Sequence, residues 1–231
     1  MLKAVIFDMD GVIIDSHPAH REAWKTFLAT VGRPVSDAEL DFVLDGRKRG
    51  EILRHFLGEL SDDEVRGFGE RKDEFFQRQA LQVRLIAGAI DLISKLADAG
   101  IATAVATSAS ESRARHVLEQ LLLDDKFRVV VTGNDVSKGK PDPSIYRLAC
   151  QRLKVLPAYT LAIEDAVSGV EAAVCSGLTC VGIGGHQTPE KLRAAGATHV
   201  LENFIDVSPA SLEALLPWRP KGPLLQSQLQ T

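Results

Sequence analysis

Cysteine is scarce in this chain: three residues in 231, Cys150, Cys175 and Cys180, with no CxxC pair and no histidine beside them at zinc-ligand spacing. That excludes a disulfide framework and a zinc knuckle, and it points to a reducing, cytoplasmic setting in which all three are buried small hydrophobes. Aromatics are also few, 6% of the chain, and no apolar run approaches the roughly 18 residues of a membrane span. The opening MLKAVIFDMDG turns acidic after one short apolar run, so it lacks the core and the cleavage site of a signal peptide. A surplus of positive charge is missing as well. With 27 Lys+Arg against 31 Asp+Glu the formal charge is -4, which excludes the basic field of a nucleic-acid or membrane-surface binder and leaves a small molecule as the expected partner.

What is present is a globular balance, 45% hydrophobic and 25% charged, in a length that suits one large domain or a core carrying an insert. Six short runs rich in β-branched residues, at 3–7, 101–107, 128–132, 160–164, 179–183 and 198–201, are continuously apolar rather than alternating. That is the pattern of parallel strands covered on both faces. Segments of helical period separate them, at 89–98, 111–122, 143–154 and 166–175. Strand alternating with helix is the sequence form of a doubly wound, Rossmann-like α/β sheet.

The alternation fails between the first strand and about residue 86. Residues 15–83 read instead as three or four helices, with turn signals at Gly32-Arg33-Pro34 and Leu57-Gly58, and they carry fourteen acidic and eleven basic residues. They also hold seven of the chain's aromatics, Trp24, Phe27, Phe42, Phe56, Phe68, Phe75 and Phe76, enough for a small core. The expected division is a catalytic core of residues 1–14 and 84–216, a helical cap of 15–83 and a flexible, Pro- and Gln-rich tail of 217–231.

Ligands of an open parallel sheet gather beyond the carboxyl ends of its strands. Reading outward from each strand gives Asp8 and Asp10 in DMDG, Thr107 and Ser108 in ATS, Lys140 in KGKP, and Glu164 and Asp165 in IEDAVSG. Each cluster alone reads as a turn, a helix cap or a solvated loop. All four at one sheet edge make a phosphoryl-transfer site. Carboxylates from different strands can hold Mg²⁺, while a lysine and a hydroxyl neutralise the phosphoryl oxygens. A carboxylate can also serve as nucleophile, with a second moving the proton.

In this order and spacing the four clusters resemble the haloacid dehalogenase superfamily of phosphatases and phosphomutases, over residues 3 to about 205. The resemblance implies Asp8 as nucleophile and metal ligand, and Asp10 as general acid/base whose backbone carbonyl also binds the metal. It implies Thr107 and Lys140 as phosphoryl-binding groups, with Ser108 on the substrate side. Asp165 would complete the Mg²⁺ site and Glu164 would be a direct or water-mediated partner. The helical insert resembles the lid of subgroups acting on small phosphorylated metabolites, and a monomer is expected.

Within that family two outcomes for the phosphoryl group compete. His20 and Arg49 fall where β-phosphoglucomutases carry a hinge histidine and an arginine for the non-reacting phosphate. Where those mutases place Ser-Lys, however, this chain has Ala109-Ser110 and then Glu111. A missing cation disfavours a bisphosphate intermediate, so hydrolysis of sugar phosphates is the first expectation and a phosphomutase the alternative. Asp10 argues against a true dehalogenase, and the full set of charged positions argues against a non-catalytic binding protein. His116, His186 and His199 read as structural or solvated, and Gly184-Gly185 as a tight turn.

Overall fold

The structure, a computed structural model, describes residues 1–79 and 83–217. The tail expected to be flexible falls outside these from residue 218 onward. Each of the six apolar runs forms a strand: β1 (Ala4–Phe7), β4 (Ala102–Ala106), β5 (Val129–Val131), β6 (Thr160–Glu164), β7 (Thr179–Ile183) and β8 (His199–Leu201). They make one parallel sheet in the order β5-β4-β1-β6-β7-β8. The chain therefore builds outward from β1 in both directions, which sets the switch point of the sheet at β1.

The continuous apolar runs follow from burial on both sides. Along β1, Val5 and Phe7 face one layer, packed with Leu92, Ile93 and Leu96 of α4 (Ala89–Asp98) and Leu118 of α5 (Glu111–Gln120). Ala4 and Ile6 face the other, against Ile145, Tyr146 and Ala149 of α6 (Ser144–Leu153) and Val170 and Ala173 of α7 (Val167–Cys175). Alternate Cβ directions in a strand enforce this division. Small residues dominate the second face, including Ala104, Ala106 and Ala162, and they let helices rich in alanine lie close. Two short helices, α8 (Pro189–Ala194) and α9 (Pro209–Glu213), complete the layers.

Between β1 and α4 the chain leaves the sheet. A two-stranded antiparallel ribbon pairs β2 (Ile14–Asp15) with β3 (Arg84–Leu85), a feature too short to show as a sequence pattern. Between its strands lie α1 (His17–Thr30), a 3₁₀ turn (Glu39–Phe42), α2 (Arg49–Leu57) and α3 (Asp62–Arg78). Trp24, Phe27, Leu28, Leu40, Leu53 and Phe56 form their own apolar cluster, so the helical insert is a cap with its own core. Helix α3 starts at a capping box in which Ser61 and Glu64 satisfy each other's backbone N–H. Among the described residues no helix is long and apolar enough to cross a membrane.

One cysteine departs from expectation. Cys150 and Cys180 are buried, but Cys175 is exposed, because it ends α7 on the helix's outward side. His186 is also not isolated; its ring meets that of His17 edge-on at 5.1 Å.

Leu92 is fully buried between α4 and the sheet. Leu92→Ala is expected to lower unfolding stability by about 2–5 kcal/mol, read from the urea midpoint at unchanged m-value.

Candidate active site

Parallel register sets the site. Phe7 pairs with Val105 on one side and Ile163 on the other, so the chain leaves all three strands at the same level. Asp8 follows β1 directly and its N–H donates to the Ile163 carbonyl at 3.0 Å. Glu164 ends β6 and Asp165 follows it. Thr107 follows β4, and its N–H donates to Val131 O at 3.0 Å.

Lys140 reaches these groups from the loop after β5 and is 1% exposed. Its Nζ donates to Asp8 Oδ1 at 2.6 Å, to Glu164 Oε1 at 2.5 Å and to Ala106 O at 3.2 Å, which uses all three ammonium protons. Burial alone would strip the charge from this lysine, but Asp8 and Glu164 outweigh it and hold Lys140 protonated. Glu164 is fully engaged. Tyr146 OH donates to Oε1 at 2.5 Å, and the N–H groups of Asp165 and Ala166 approach Oε2 at 3.2 and 3.5 Å. Gly169 makes room for this carboxylate, since a Cβ there would lie 2.1 Å from its Cδ.

Asp165 has the opposite character. Its Oδ2 is buried and, among the described residues, accepts no hydrogen bond. His17 Nε2 stands 3.1 Å away as its ion-pair partner; burial would lower the His17 pKa, but Asp165 outweighs it and raises that pKa above the usual value. Gly11, at φ +78°, arches over this carboxylate, and a Cβ would fall 2.2 Å from Oδ2. Ligand oxygens of Asp8, Glu164 and Asp165 lie within 4.8 Å of one another. Burial, reinforced by the neighbouring carboxylates, pushes the Asp8 carboxyl well above its usual range and raises that of Asp165 too. Three buried carboxylates gathered around one lysine and one histidine could hold a hard divalent cation, with Asp8 and Asp165 as its ligands. Glu164 has both oxygens hydrogen-bonded.

Asp10 lies apart from this cluster. Its carboxylate takes a bidentate grip from Arg113, with Nη1 to Oδ2 at 2.8 Å and Nη2 to Oδ1, together with a 2.5 Å bond from Ser16 Oγ. Burial would raise its pKa, but Arg113 and His20 outweigh that and hold it well below the usual carboxylate range. From Asp10 a chain of contacts runs into the cap. His20 Nε2 is 3.5 Å from Asp10 Oδ1, Lys72 Nζ is 3.3 Å from His20 Nδ1, Lys72 reaches Asp73 Oδ1 at 3.2 Å, and Arg49 Nη1 reaches Asp73 Oδ2 at 2.6 Å.

Of the residues expected from sequence, Asp8, Asp10, Thr107, Ser108, Asp165, His20 and Arg49 line one cavity, with Lys140 and Glu164 directly beneath it through their contacts to Asp8. Two have their polar groups committed elsewhere. Arg49 is paired with Asp73, and Ser108 Oγ donates to Gly46 O of the cap at 2.5 Å. Other cap-to-core bonds join Lys48 Nζ to Val136 O at 2.7 Å and Gly139 N to Glu51 Oε1 at 3.1 Å.

Sequence reasoning missed His17, Lys72, Asp73, Arg113 and Tyr146. Two of these left a signal. Arg113 sits in the first turn of α5, where a cation opposes the helix dipole. Lys72 falls four residues after Phe68 and four before Phe76, on an otherwise apolar stripe of α3.

The His20 ring is buried beside Lys72 and Arg113; burial and then these cations lower its pKa from 6.5 to about 3, so it is neutral at pH 7. Lys72 donating to Nδ1 places the remaining proton on Nε2, toward Asp10. Because the unfolded chain takes up this proton first, His20 costs stability as pH falls from 6.5 toward about 3. His20→Asn is expected to lose less stability than the parent over that interval. Imidazole ¹⁵N shifts of the parent should stay those of a neutral ring at pH 5, and a midpoint near 6.5 would refute the assignment.

The sequence and structure have counterparts among known proteins. A family model described as haloacid dehalogenase-like hydrolase matches residues 2–177. A phosphorylated carbohydrates phosphatase of Thermotoga maritima is 34% identical over 179 residues, covering 77% of this chain and 82% of the relative. A β-phosphoglucomutase of Bacillus subtilis is 33% identical over 192 residues, covering 79% and 84%. Among solved structures, CbbY of Rhodobacter sphaeroides in complex with phosphate superposes with a TM-score of 0.81 at 29% identity, covering 92% of this chain and all of the other. With six parallel strands, a helical cap and carboxylates gathered at the strand ends, the chain belongs to the haloacid dehalogenase-like hydrolases.

Proposed function

We propose that the protein is a Mg²⁺-dependent phosphatase of small phosphorylated sugars that works through an aspartyl phosphate on Asp8. The observation that carries this reading is the buried Asp8–Lys140–Glu164–Asp165 cluster, lining with Asp10 one cavity at the strand ends. The kinship with a phosphatase of phosphorylated carbohydrates supports the substrate class. Mg²⁺, held by Asp8, Asp165 and the Asp10 carbonyl, would screen the carboxylates and draw negative charge off the phosphoryl oxygens.

The chain's own residues supply the rest. An Asp8 carboxylate oxygen attacks phosphorus and the bond from phosphorus to the sugar oxygen breaks, with Asp10 giving that oxygen a proton. Asp10, now ionised, takes a proton from water, whose oxygen attacks phosphorus and releases Asp8 and inorganic phosphate. Lys140 stays protonated and balances charge on Asp8 and the phosphoryl group. Thr107 Oγ1 accepts from Ala109 N at 3.1 Å, which leaves its own proton to donate to a phosphoryl oxygen. The Arg113 grip favours the ionised Asp10 of the second half, so Arg113 gives way when Asp10 carries the proton of the first. The cap, residues 15–83, acts as the lid, hinged at the β2/β3 ribbon and excluding bulk water when its loop lies on the core.

Hydrolysis is favoured over phosphomutase chemistry by charge pairing. Arg47, Arg49, Lys72 and Arg113 line the cavity, and each has a carboxylate partner: Asp45, Asp73, Asp73 and Asp10. Holding the second phosphate of a sugar bisphosphate would break one of these pairs, and Glu111 stands where a further cation would help. With β-glucose 1-phosphate and a trace of glucose 1,6-bisphosphate, free phosphate is therefore expected; quantitative glucose 6-phosphate without phosphate would reverse the preference.

Asp8→Asn is expected to lower Mg²⁺-dependent phosphate release by at least roughly 10³-fold while leaving the fold intact by circular dichroism. Chelation by EDTA should remove the parent's activity and added Mg²⁺ should restore it. Phosphate release that survives Asp8→Asn would refute the nucleophile.

A further inference from the structure

The phosphoryl cavity is small, about 90 Å³, well below the roughly 300–1,000 Å³ of ordinary small-molecule sites. A substrate tail has to leave it. Two larger cavities adjoin. One, of about 640 Å³ between α3 and α5, has an apolar lining that includes Phe76, Val83 and Leu121 and meets the phosphoryl cavity at Asp73 and Arg113, both tied into ion pairs. The other, of about 380 Å³, lies between α2 and the loops after β4 and β5, and it shares Arg49, Ser108, Ala109 and Ser110 with the phosphoryl cavity. Of the two, the second shares the longer wall with the phosphoryl cavity, four residues against two.

Its walls define the chemistry it would take. Ser110, Asn134 and Ser137 offer hydroxyl and amide groups. The arginines there are already paired, Arg49 with Asp73 and Arg54 with Asp62 at 2.9 Å, while Lys48 donates to the Val136 and Ser137 carbonyls. Such a wall suits a neutral polyhydroxyl group, and a second phosphate would have to displace a carboxylate from either arginine.

We propose that this cavity receives a sugar ring carried beyond the phosphorylated one, so that the preferred substrates are phosphorylated disaccharides or glycosides rather than monosaccharide phosphates or bisphosphates. The inference rests on the phosphatase reading and names the substrate class of the same site. Only the tail is at issue; the bond broken and the proton transfers stay as described.

Matched substrates test it. Initial rates of phosphate release with Mg²⁺ are compared for p-nitrophenyl phosphate, glucose 6-phosphate, trehalose 6-phosphate, which adds a second ring at O1, and glucose 1,6-bisphosphate, which adds an anion there. The expected kcat/KM for trehalose 6-phosphate is about 10-fold or more above that for glucose 6-phosphate, mainly through KM, with the bisphosphate no better than the monophosphate. Ser137, whose side chain is exposed on the cavity wall, is then changed. Ser137→Trp, which fills the space, should bring the ratio of the two monophosphates close to one, and Ser137→Ala, which removes a single hydroxyl from the wall, should lower it by less. Because each ratio is taken within one variant, a partial loss of folded protein cancels. Equal kcat/KM in the parent, preference for the bisphosphate, or a ratio unmoved by Ser137→Trp overturns the proposal while leaving the phosphatase reading standing. No release from any of the four, p-nitrophenyl phosphate included, overturns both.

Discussion

The Lys140 ammonium, between Asp8 and Glu164 and almost wholly shielded from water, is the interaction on which the site depends. Each of its partners comes from a different part of the sheet, so the cluster exists only if β1, β4 and β6 end at one level and the loop after β5 folds back across them. Burying charge is expensive unless it is matched and hydrogen-bonded, and here the matching is nearly complete for Lys140 and Glu164 and incomplete for Asp165. That asymmetry sets Glu164, whose two oxygens are both hydrogen-bonded, apart from Asp165. Gly11 and Gly169 belong to the same constraint, because a Cβ at either would occupy the space of a site carboxylate.

Asp10 is governed by a second, more exposed network that reaches into the cap. Arg113 from α5 and His20 from α1 converge on its carboxylate, and the line of contacts continues through Lys72 and Asp73 to Arg49. The Asp10 carboxylate thus has one partner from the cap, His20, and one from the core, Arg113. The substrate-side loop is tied to the core separately, by Ser108 to Gly46, Ser168 to Asp45 and Glu51 to Gly139. Gly139 precedes Lys140, so cap docking bears directly on the loop that delivers the lysine.

Much of this was legible in the residues. Six apolar runs became six parallel strands within a residue or so at each end, because burial on both faces leaves an unbroken apolar signature. The helical insert showed itself through its charge and its aromatics, which became the Trp24–Phe27–Phe56 cluster. The β2/β3 ribbon did not, since two residues per strand carry no periodicity. Cys175 was misplaced because helical period cannot tell which side of the last turn faces out. Among polar groups, those directly after strands could be found by position, whereas His17, Asp73 and Tyr146 lie within helices where nothing local marks them.

What the sequence determined by itself is the order of chemistry along the chain: acid pair, hydroxyls, lysine, acid pair, each at the end of an apolar run, and with it the fold and the family. Those signals are local, encoded in period and in the residue that follows a strand. Tertiary structure alone decided which charges meet. Lys140 finds Asp8 across 132 positions and Arg113 finds Asp10 across 103, so pairing depends on strand order and helix placement rather than on spacing. Arg49, which falls where an arginine for a second phosphate is expected, is for that reason already matched, by Asp73 of α3.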